Sequence, residues 1–95
     1  MAEDGKFRVE KFNGQNFLLW EMQMEDYLYQ KYMYLPLGGK TKMSTGMTDE
    51  EWNLLDRKAL GIVWLCLAAS VTINISKETM TEGLIKALEK LYEKP

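Results

Sequence analysis

The side chains best suited to acid–base chemistry in this chain are clustered carboxylates. Asp49, Glu50 and Glu51 are consecutive, and Asp56 follows them. Two acids at a suitable spacing can cleave a glycosidic bond. However, the run Thr48-Asp49-Glu50-Glu51 has the form of a capping box, and acidic residues in a first turn suit the helix dipole. The pattern therefore predicts the start of a helix and no catalytic pair.

The remaining reactive groups also have structural interpretations. Glu25-Asp26 is typical of a solvated helix face. Gly38-Gly39-Lys40-Thr41 resembles the end of a phosphate-binding loop, but Leu35-Pro36 stands where that loop needs a glycine after a strand. Cys66 lies in an apolar run, where a thiol has a raised pKa and serves in packing. We therefore predict no catalytic, cofactor-binding or metal-binding residue and no enzymatic activity.

Composition narrows the function classes further. The chain has 95 residues, which suits one domain, and 46% of them are hydrophobic. It has no histidine, which removes imidazole metal sites, zinc knuckles with histidine and histidine-activated nucleophiles. The net charge is −2 without a basic stripe, so nucleic-acid binding is not predicted.

The cysteine count, the N-terminal residues and the longest apolar run indicate the cellular location. A single cysteine fits a reducing compartment, and the acidic, polar N-terminal residues do not form a signal peptide. The longest apolar run, residues 59–69, is too short for a membrane span, which needs about 20 residues. We expect an intracellular, cytoplasmic protein without membrane contact.

The first predicted helix follows a flexible lead-in over residues 1–11. It begins near Asn13 or Asn16, and Asn13 as N-cap would allow Phe12 to staple onto Phe17. Pro36 requires it to end by residue 35. Residues 36–47 form a glycine-containing loop.

The second predicted helix starts at the capping box, with Thr48 as N-cap. Its second half is almost wholly apolar, so we expect it to be enclosed on most sides. Gly61 within it costs about 1 kcal/mol relative to alanine, which indicates a close approach by another helix.

The third predicted helix starts between Ser76 and Thr81, capped by Ser76 or Thr79. Residues 71–75 alternate like a strand, but without an evident partner they favour a connecting turn or short helix. The apolar spacing predicts a small all-α bundle of three to five helices. The predicted core residues are Phe17, Trp20, Met24, Leu28, Trp52, Leu55, Val63, Cys66 and Leu88.

Four tyrosines within eight residues mark a candidate interface, because they cannot all face one core and tyrosine is enriched at interfaces. Partial burial with exposed hydroxyls is the alternative interpretation. The predicted interface consists of Tyr29, Tyr32, Met33, Tyr34, Leu84 and Leu91.

Three segments in order carry a family resemblance. They are Lys11-Phe12-Asn13-Gly14 through Trp20, Met24 and Tyr27-Leu28; Trp52 with Leu55-Asp56-Arg57-Lys58-Ala59-Leu60 and Leu65-Cys66-Leu67-Ala68; and Ala87-Leu88-Glu89-Lys90-Leu91-Tyr92. Together they resemble the Gag polyprotein of plant copia-type LTR retrotransposons. The resemblance implies a helical, capsid-like domain over residues 12–95 that assembles into particles around element RNA, with Phe17, Trp20, Trp52, Leu55 and Leu88 in its core.

Two departures from that family shape the functional hypotheses. The chain ends at Pro95, where the family continues with further helices and a zinc knuckle, so we expect a truncated domain. Ile85 stands where the family often has tryptophan, beside Gly83. Dimerisation, or exchange of a helix between copies, would cover the apolar faces left open.

The main hypothesis is therefore a structural self-association module that forms homodimers or larger capsid-like assemblies. The alternative is a host-retained Gag-derived adaptor that binds a protein or peptide, or that interferes with intact Gag by co-assembly.

Overall fold

The computed structural model describes residues 9–75 and 77–93, in which the chain forms an all-α fold. Its helices are α1 (Phe17–Gln30), α2 (Asp49–Leu65), α3 (Ala69–Thr72) and α4 (Thr81–Tyr92). Short 3-10 turns cover Leu35–Gly38, Lys40–Lys42 and Ile73–Ile75. The predicted fold class is confirmed. Most of the predicted lead-in (residues 1–8), the candidate cap Ser76 and Pro95 lie outside the described residues.

The start of α1 uses Asn16 as N-cap, in place of Asn13. Asn16 adopts a left-handed conformation (φ 57°, ψ 49°), which asparagine tolerates better than most residues. The Asn13 side-chain oxygen instead accepts a hydrogen bond from the Gln15 backbone N–H (3.1 Å). Phe12 still contacts Phe17, with ring centroids 5.4 Å apart. The turn before the helix is therefore fixed locally by Asn13, and the aromatic contact anchors it to the core.

Helix α1 ends at Gln30 in a Schellman motif, five residues before the limit of residue 35 that Pro36 sets. The Met33 N–H donates to the Leu28 carbonyl (2.8 Å), and the Tyr32 N–H donates to the Tyr29 carbonyl (3.1 Å). Tyr32 occupies the position where glycine is usual, with φ 60°. Its side chain is 84% exposed. The reversal of the chain after α1 therefore places a tyrosine in a strained conformation at the surface.

The predicted capping box at the start of α2 is confirmed. The Thr48 hydroxyl oxygen accepts a hydrogen bond from the Glu51 N–H (3.1 Å), and the Thr48 N–H donates to the Glu51 carboxylate (2.9 Å). The prediction that the second half of α2 is enclosed is wrong for one face. Leu65 is 75% exposed, and Trp64 is only partly buried. The surrounding elements cover a single side of this helix.

The connection from α2 to α4 is the short helix and turn predicted for residues 71–75. Val71 and Ile75 point into the core. The N-cap of α4 is Met80, without a side-chain hydrogen bond, so Thr79 does not supply the predicted cap. The side-chain cap of α4 comes instead from Asp56 in α2, whose carboxylate accepts a hydrogen bond from the Thr81 N–H (3.0 Å).

The core forms where the segment before α1 meets the end of α2. The Phe12 N–H donates to the Cys66 carbonyl, and the Ala68 N–H donates to the Phe12 carbonyl, each at 2.9 Å. The Phe12 ring also lies 5.3 Å from the Trp20 ring and 5.0 Å from the Tyr92 ring. Phe12 therefore joins the beginning of the fold to α1, to α2 and to the last turn of α4.

Candidate functional site

The predicted core residues occupy mostly interior positions. Seven of them are buried: Phe17, Trp20, Met24, Leu28, Trp52, Val63 and Leu88. Leu55 and Cys66 are only partly buried. Burial raises the pKa of the Cys66 thiol, and Lys11 opposes this shift in part. A raised pKa leaves the thiol protonated and poorly nucleophilic, as a packing role requires.

The predicted interface divides into exposed and buried members. Tyr29 (59%), Tyr32 (84%), Tyr34 (41%) and Leu91 (51%) are exposed, and the tilted rings of Tyr29 and Tyr34 have centroids 4.7 Å apart. Met33 is partly buried and packs against the core.

Leu84 is fully buried, and its assignment to the interface is wrong. Leu84, Ile85 and Leu88 form the inward stripe of α4, because residues four apart lie on the same face of a helix. Leu91 lies on the same face, seven residues after Leu84, but it belongs to the last turn of α4 and stays exposed.

A second exposed surface runs along α1, and we name it the α1 stripe. Its residues follow helical spacing on the side away from the core: Leu18, Met22, Glu25, Asp26 and Tyr29. Leu18 is 60% exposed and Met22 is 63% exposed. Helical spacing turns Leu18 and Met22 away from the core face, and their exposure shows that nothing in the described structure covers them.

An open groove of about 760 Å³ lies beside the second half of α2, and we name it the α2 groove. It is lined by Met33, Arg57, Lys58, Gly61, Ile62, Trp64 and Leu65. A Cβ added at Gly61 would meet the Arg57 side chain at 3.2 Å and no neighbouring helix. The predicted close approach at Gly61 is therefore wrong: this glycine forms part of an open surface.

Three carboxylates from α1 and the end of α4 form a cluster that the sequence did not indicate. Oxygen atoms of Glu21, Glu89 and Glu93 all lie within 4.8 Å of one another. One carboxylate oxygen of Glu21 is buried and has no hydrogen-bond partner in the described structure. Burial raises the pKa of Glu21 to about 8, aided by a hydrogen bond with Glu89 and by repulsion from Glu89, Glu25 and Glu93.

The chemistry open to this cluster is the capture of a positive charge. Carboxylates this close cannot all ionise freely, so a proton shared between Glu21 and Glu89 relieves the repulsion. Oxygen ligands of this type also suit a hard divalent cation. Glu89 and Glu93 are one helical turn apart, but nothing in the sequence pairs them with Glu21.

In the segment Gly38-Gly39-Lys40-Thr41, Gly39 is the residue that packs against the rest of the protein. Gly39 is buried with φ 84°, and its Cα faces the Glu82 carboxylate so closely that a Cβ would collide with it. Lys40 forms an ion pair with Asp49 (3.3 Å). A carboxylate against the loop would repel a phosphate group, which agrees with the interpretation of this segment as an ordinary loop.

Comparison with known proteins identifies one informative similarity. Over 88 residues, or 92% of this chain, the protein is 36% identical to a retrovirus-related Pol polyprotein from transposon TNT 1-94 of Nicotiana tabacum. The chain spans 7% of the length of that polyprotein. No protein-family model matches the chain, and no solved structure matches it. In the described ranges, no helix has both the length and the apolar character needed to cross a bilayer.

Proposed function

We propose that this chain is a Gag-type, capsid-like domain related to copia-type LTR retrotransposons, and that it acts as a non-enzymatic self-association module. The similarity to a transposon polyprotein across 92% of the chain is the observation that carries the proposal. It covers 88 of the 95 residues, so the similarity is not confined to a short motif.

The physical character of the surface supports an assembly role. Large apolar side chains are exposed on several elements, including Leu18 and Met22 on α1, Leu65 on α2 and Leu91 on α4. Leu18 and Met22 are four residues apart and therefore adjoin on α1, and contiguous exposed apolar surface marks interaction sites in soluble proteins. The partner that we propose first is a second copy of the chain, in a homodimer or a larger assembly in the cytoplasm.

The roles of the acidic residues support a function without catalysis. The Glu51 carboxylate is engaged in the capping box of α2, and the Asp56 carboxylate caps α4. These contacts give a structural reason for carboxylates that sequence spacing alone could assign to acid–base chemistry. The proposal therefore assigns no substrate and no cofactor to this domain.

Light scattering coupled to size-exclusion chromatography tests self-association. The purified chain is loaded from low micromolar to millimolar concentration. We expect the weight-average mass to rise with concentration to that of a dimer or larger species. A mass equal to one chain, 11.1 kDa, at every concentration would contradict the proposal.

An adaptor that docks a peptide or protein, or that co-assembles with intact Gag, is the second candidate. The open α2 groove is the observation that favours it, because amphipathic helices bind in apolar grooves of this kind. Co-expression of the tagged chain with a full Gag polyprotein separates the two candidates. A monomer that nevertheless enters Gag particles supports interference by co-assembly.

A further inference from the structure

We propose that the α1 stripe of one copy docks antiparallel into the α2 groove of a second copy. This inference rests on the proposed self-association and identifies the two surfaces that meet. Three features support this pairing: the order of charge along each surface, the matching length of the parts that pair, and the absence of competing ion pairs in the described structure.

The α2 groove is basic at one end and apolar at the other. Arg57 and Lys58 are exposed near its beginning, and Leu65, which is 75% exposed, lies at its end. Gly61 between them adds no side chain of its own to the groove floor, where the flexible Arg57 side chain lies 3.2 Å from the position that a Cβ would take. A partner helix can lie close to the α2 backbone at this point when the Arg57 side chain turns toward the partner's carboxylates, since glycine permits close approach.

The α1 stripe has the complementary order of properties. It begins with the exposed apolar side chains of Leu18 and Met22 and continues to the exposed carboxylates of Glu25 and Asp26. When the two helices run in opposite directions, the apolar end of the stripe meets Leu65, and its carboxylates meet Arg57 and Lys58.

The parts of the two surfaces that pair also have the same length, and Tyr29 at the end of the α1 stripe lies beyond them. Leu18 to Asp26 and Arg57 to Leu65 each span eight helical steps, about 12 Å at 1.5 Å per residue. The carboxylates therefore reach the two basic residues when Leu18 lies opposite Leu65, without a shift in register.

The charges on both surfaces are available to a partner. Within residues 9–75 and 77–93, the ion pairs are Lys40 with Asp49 and Lys86 with Glu82. None of the four charged residues proposed to meet between copies takes part in them. Burial of opposite charges in register adds specificity to the apolar contact and selects the antiparallel orientation.

A contact between two different surfaces has a consequence for assembly. If the contact is formed twice, related by a two-fold axis, both stripes and both grooves are occupied and a closed dimer results. If the contact is formed once, each pair of copies keeps one free stripe and one free groove, and further copies can add to the assembly. Both results are compatible with the self-association module proposed above, and the measured mass distinguishes them.

Charge reversal tests the proposed pairing. We expect Arg57→Glu with Lys58→Glu to weaken self-association at least about tenfold, because like charges then face each other. Glu25→Lys with Asp26→Lys should have the same effect. An equimolar mixture of the two variants should associate again, since each reversed surface then meets its complement. Mass is measured by light scattering, and folding of each variant by circular dichroism.

A matched control separates a local effect from a change in net charge. Lys42→Glu with Lys77→Glu alters the net charge by the same amount as the groove reversal, at exposed residues outside both surfaces. Gly61→Leu provides a second test that leaves the net charge unchanged. It fills the groove floor and improves helix propensity, so we expect weaker association without a loss of thermal stability.

The outcomes distinguish this inference from the proposed function. If the wild-type chain associates but the reversals behave like the control, or the mixture fails to associate, the pairing is overturned and self-association stands. If the wild-type chain is monomeric at every concentration, both are overturned.

Discussion

Asp56 on α2 forms two hydrogen bonds with Thr81 at the start of α4. Its carboxylate accepts from the Thr81 N–H (3.0 Å), and its backbone carbonyl accepts from the Thr81 hydroxyl (2.9 Å). Thr81 is fully buried, and it is the polar residue placed in the core among the described residues. A helix that lacks a local N-cap side chain is thus capped by a residue from another helix.

Loss of this tertiary cap should destabilise the fold. We expect Asp56→Ala to lower the free energy of unfolding by about 1–2 kcal/mol, because a helix N–H loses its acceptor. Thr81→Val should cost about 1–3 kcal/mol, since the Asp56 carbonyl loses its donor in the interior. Urea denaturation measures both. Asn53→Ala, at an exposed residue of the same helix, is the control, and an Asp56→Ala effect no larger than this control would contradict the role.

Two glycines should respond in opposite directions to alanine. Gly61→Ala should stabilise the fold by about 1 kcal/mol, because Gly61 is inside α2 and faces open space and a flexible arginine. Gly39→Ala should destabilise it by about 1–3 kcal/mol, because φ 84° disfavours a side chain and Glu82 occupies its place. Thermal denaturation of both variants checks the pair. Loss of stability in Gly61→Ala would indicate that the groove is closed in solution.

Because the pKa of Glu21 is raised, this residue should make the folded protein less stable as the pH rises. The folded state holds a proton up to about pH 8, whereas the unfolded chain releases it near 4.5. The folded state therefore binds more protons between these values, and stability from Glu21 is complete below pH 4.5 and lost as the pH rises through 8. The facing charged groups are Glu25, Glu89 and Glu93, all acidic.

Melting temperatures across this pH range test the acidic cluster. We expect Glu21→Gln to melt at a higher temperature than wild type at alkaline pH, and the difference to shrink as the solution is acidified. The reason is that glutamine stays neutral where Glu21 must ionise beside other carboxylates. Glu10→Gln, at an exposed acid elsewhere, should leave the pH profile unchanged. Equal profiles for wild type and Glu21→Gln would show that Glu21 ionises normally.

Tyr32 stores backbone strain that glycine would remove. Its φ of 60° is unfavourable for a residue with a Cβ, and its ring is mostly in solvent. We expect Tyr32→Gly to raise the free energy of unfolding by about 0.5–1 kcal/mol, less than the full strain because glycine also loosens the unfolded chain. Tyr29→Gly, inside α1, should instead lower it by about 1 kcal/mol. Destabilisation in both variants would show that the Tyr32 ring contributes contacts that outweigh the strain.

Local signals in the sequence were sufficient where structure depends on neighbouring residues. The Thr48-Glu51 capping box is one such case, since both partners lie within one helical turn. The all-α class is another, because it follows from apolar spacing repeated along each helix. Leu84 needs more than local spacing: it shares one apolar face of α4 with Leu88 and Leu91, and the sequence of the helix does not say which part of that face another element covers.

The sequence by itself therefore determined the helices, most of their buried stripes and the resemblance to a retroelement polyprotein. Only the tertiary structure decided that Asp56 caps α4, that Gly61 faces a groove and that the Glu21 carboxylate lies beside those of Glu89 and Glu93. The physical reason is distance along the chain. Hydrogen bonds and periodicity within a helix are encoded a few residues apart, whereas contacts between helices depend on which faces pack together.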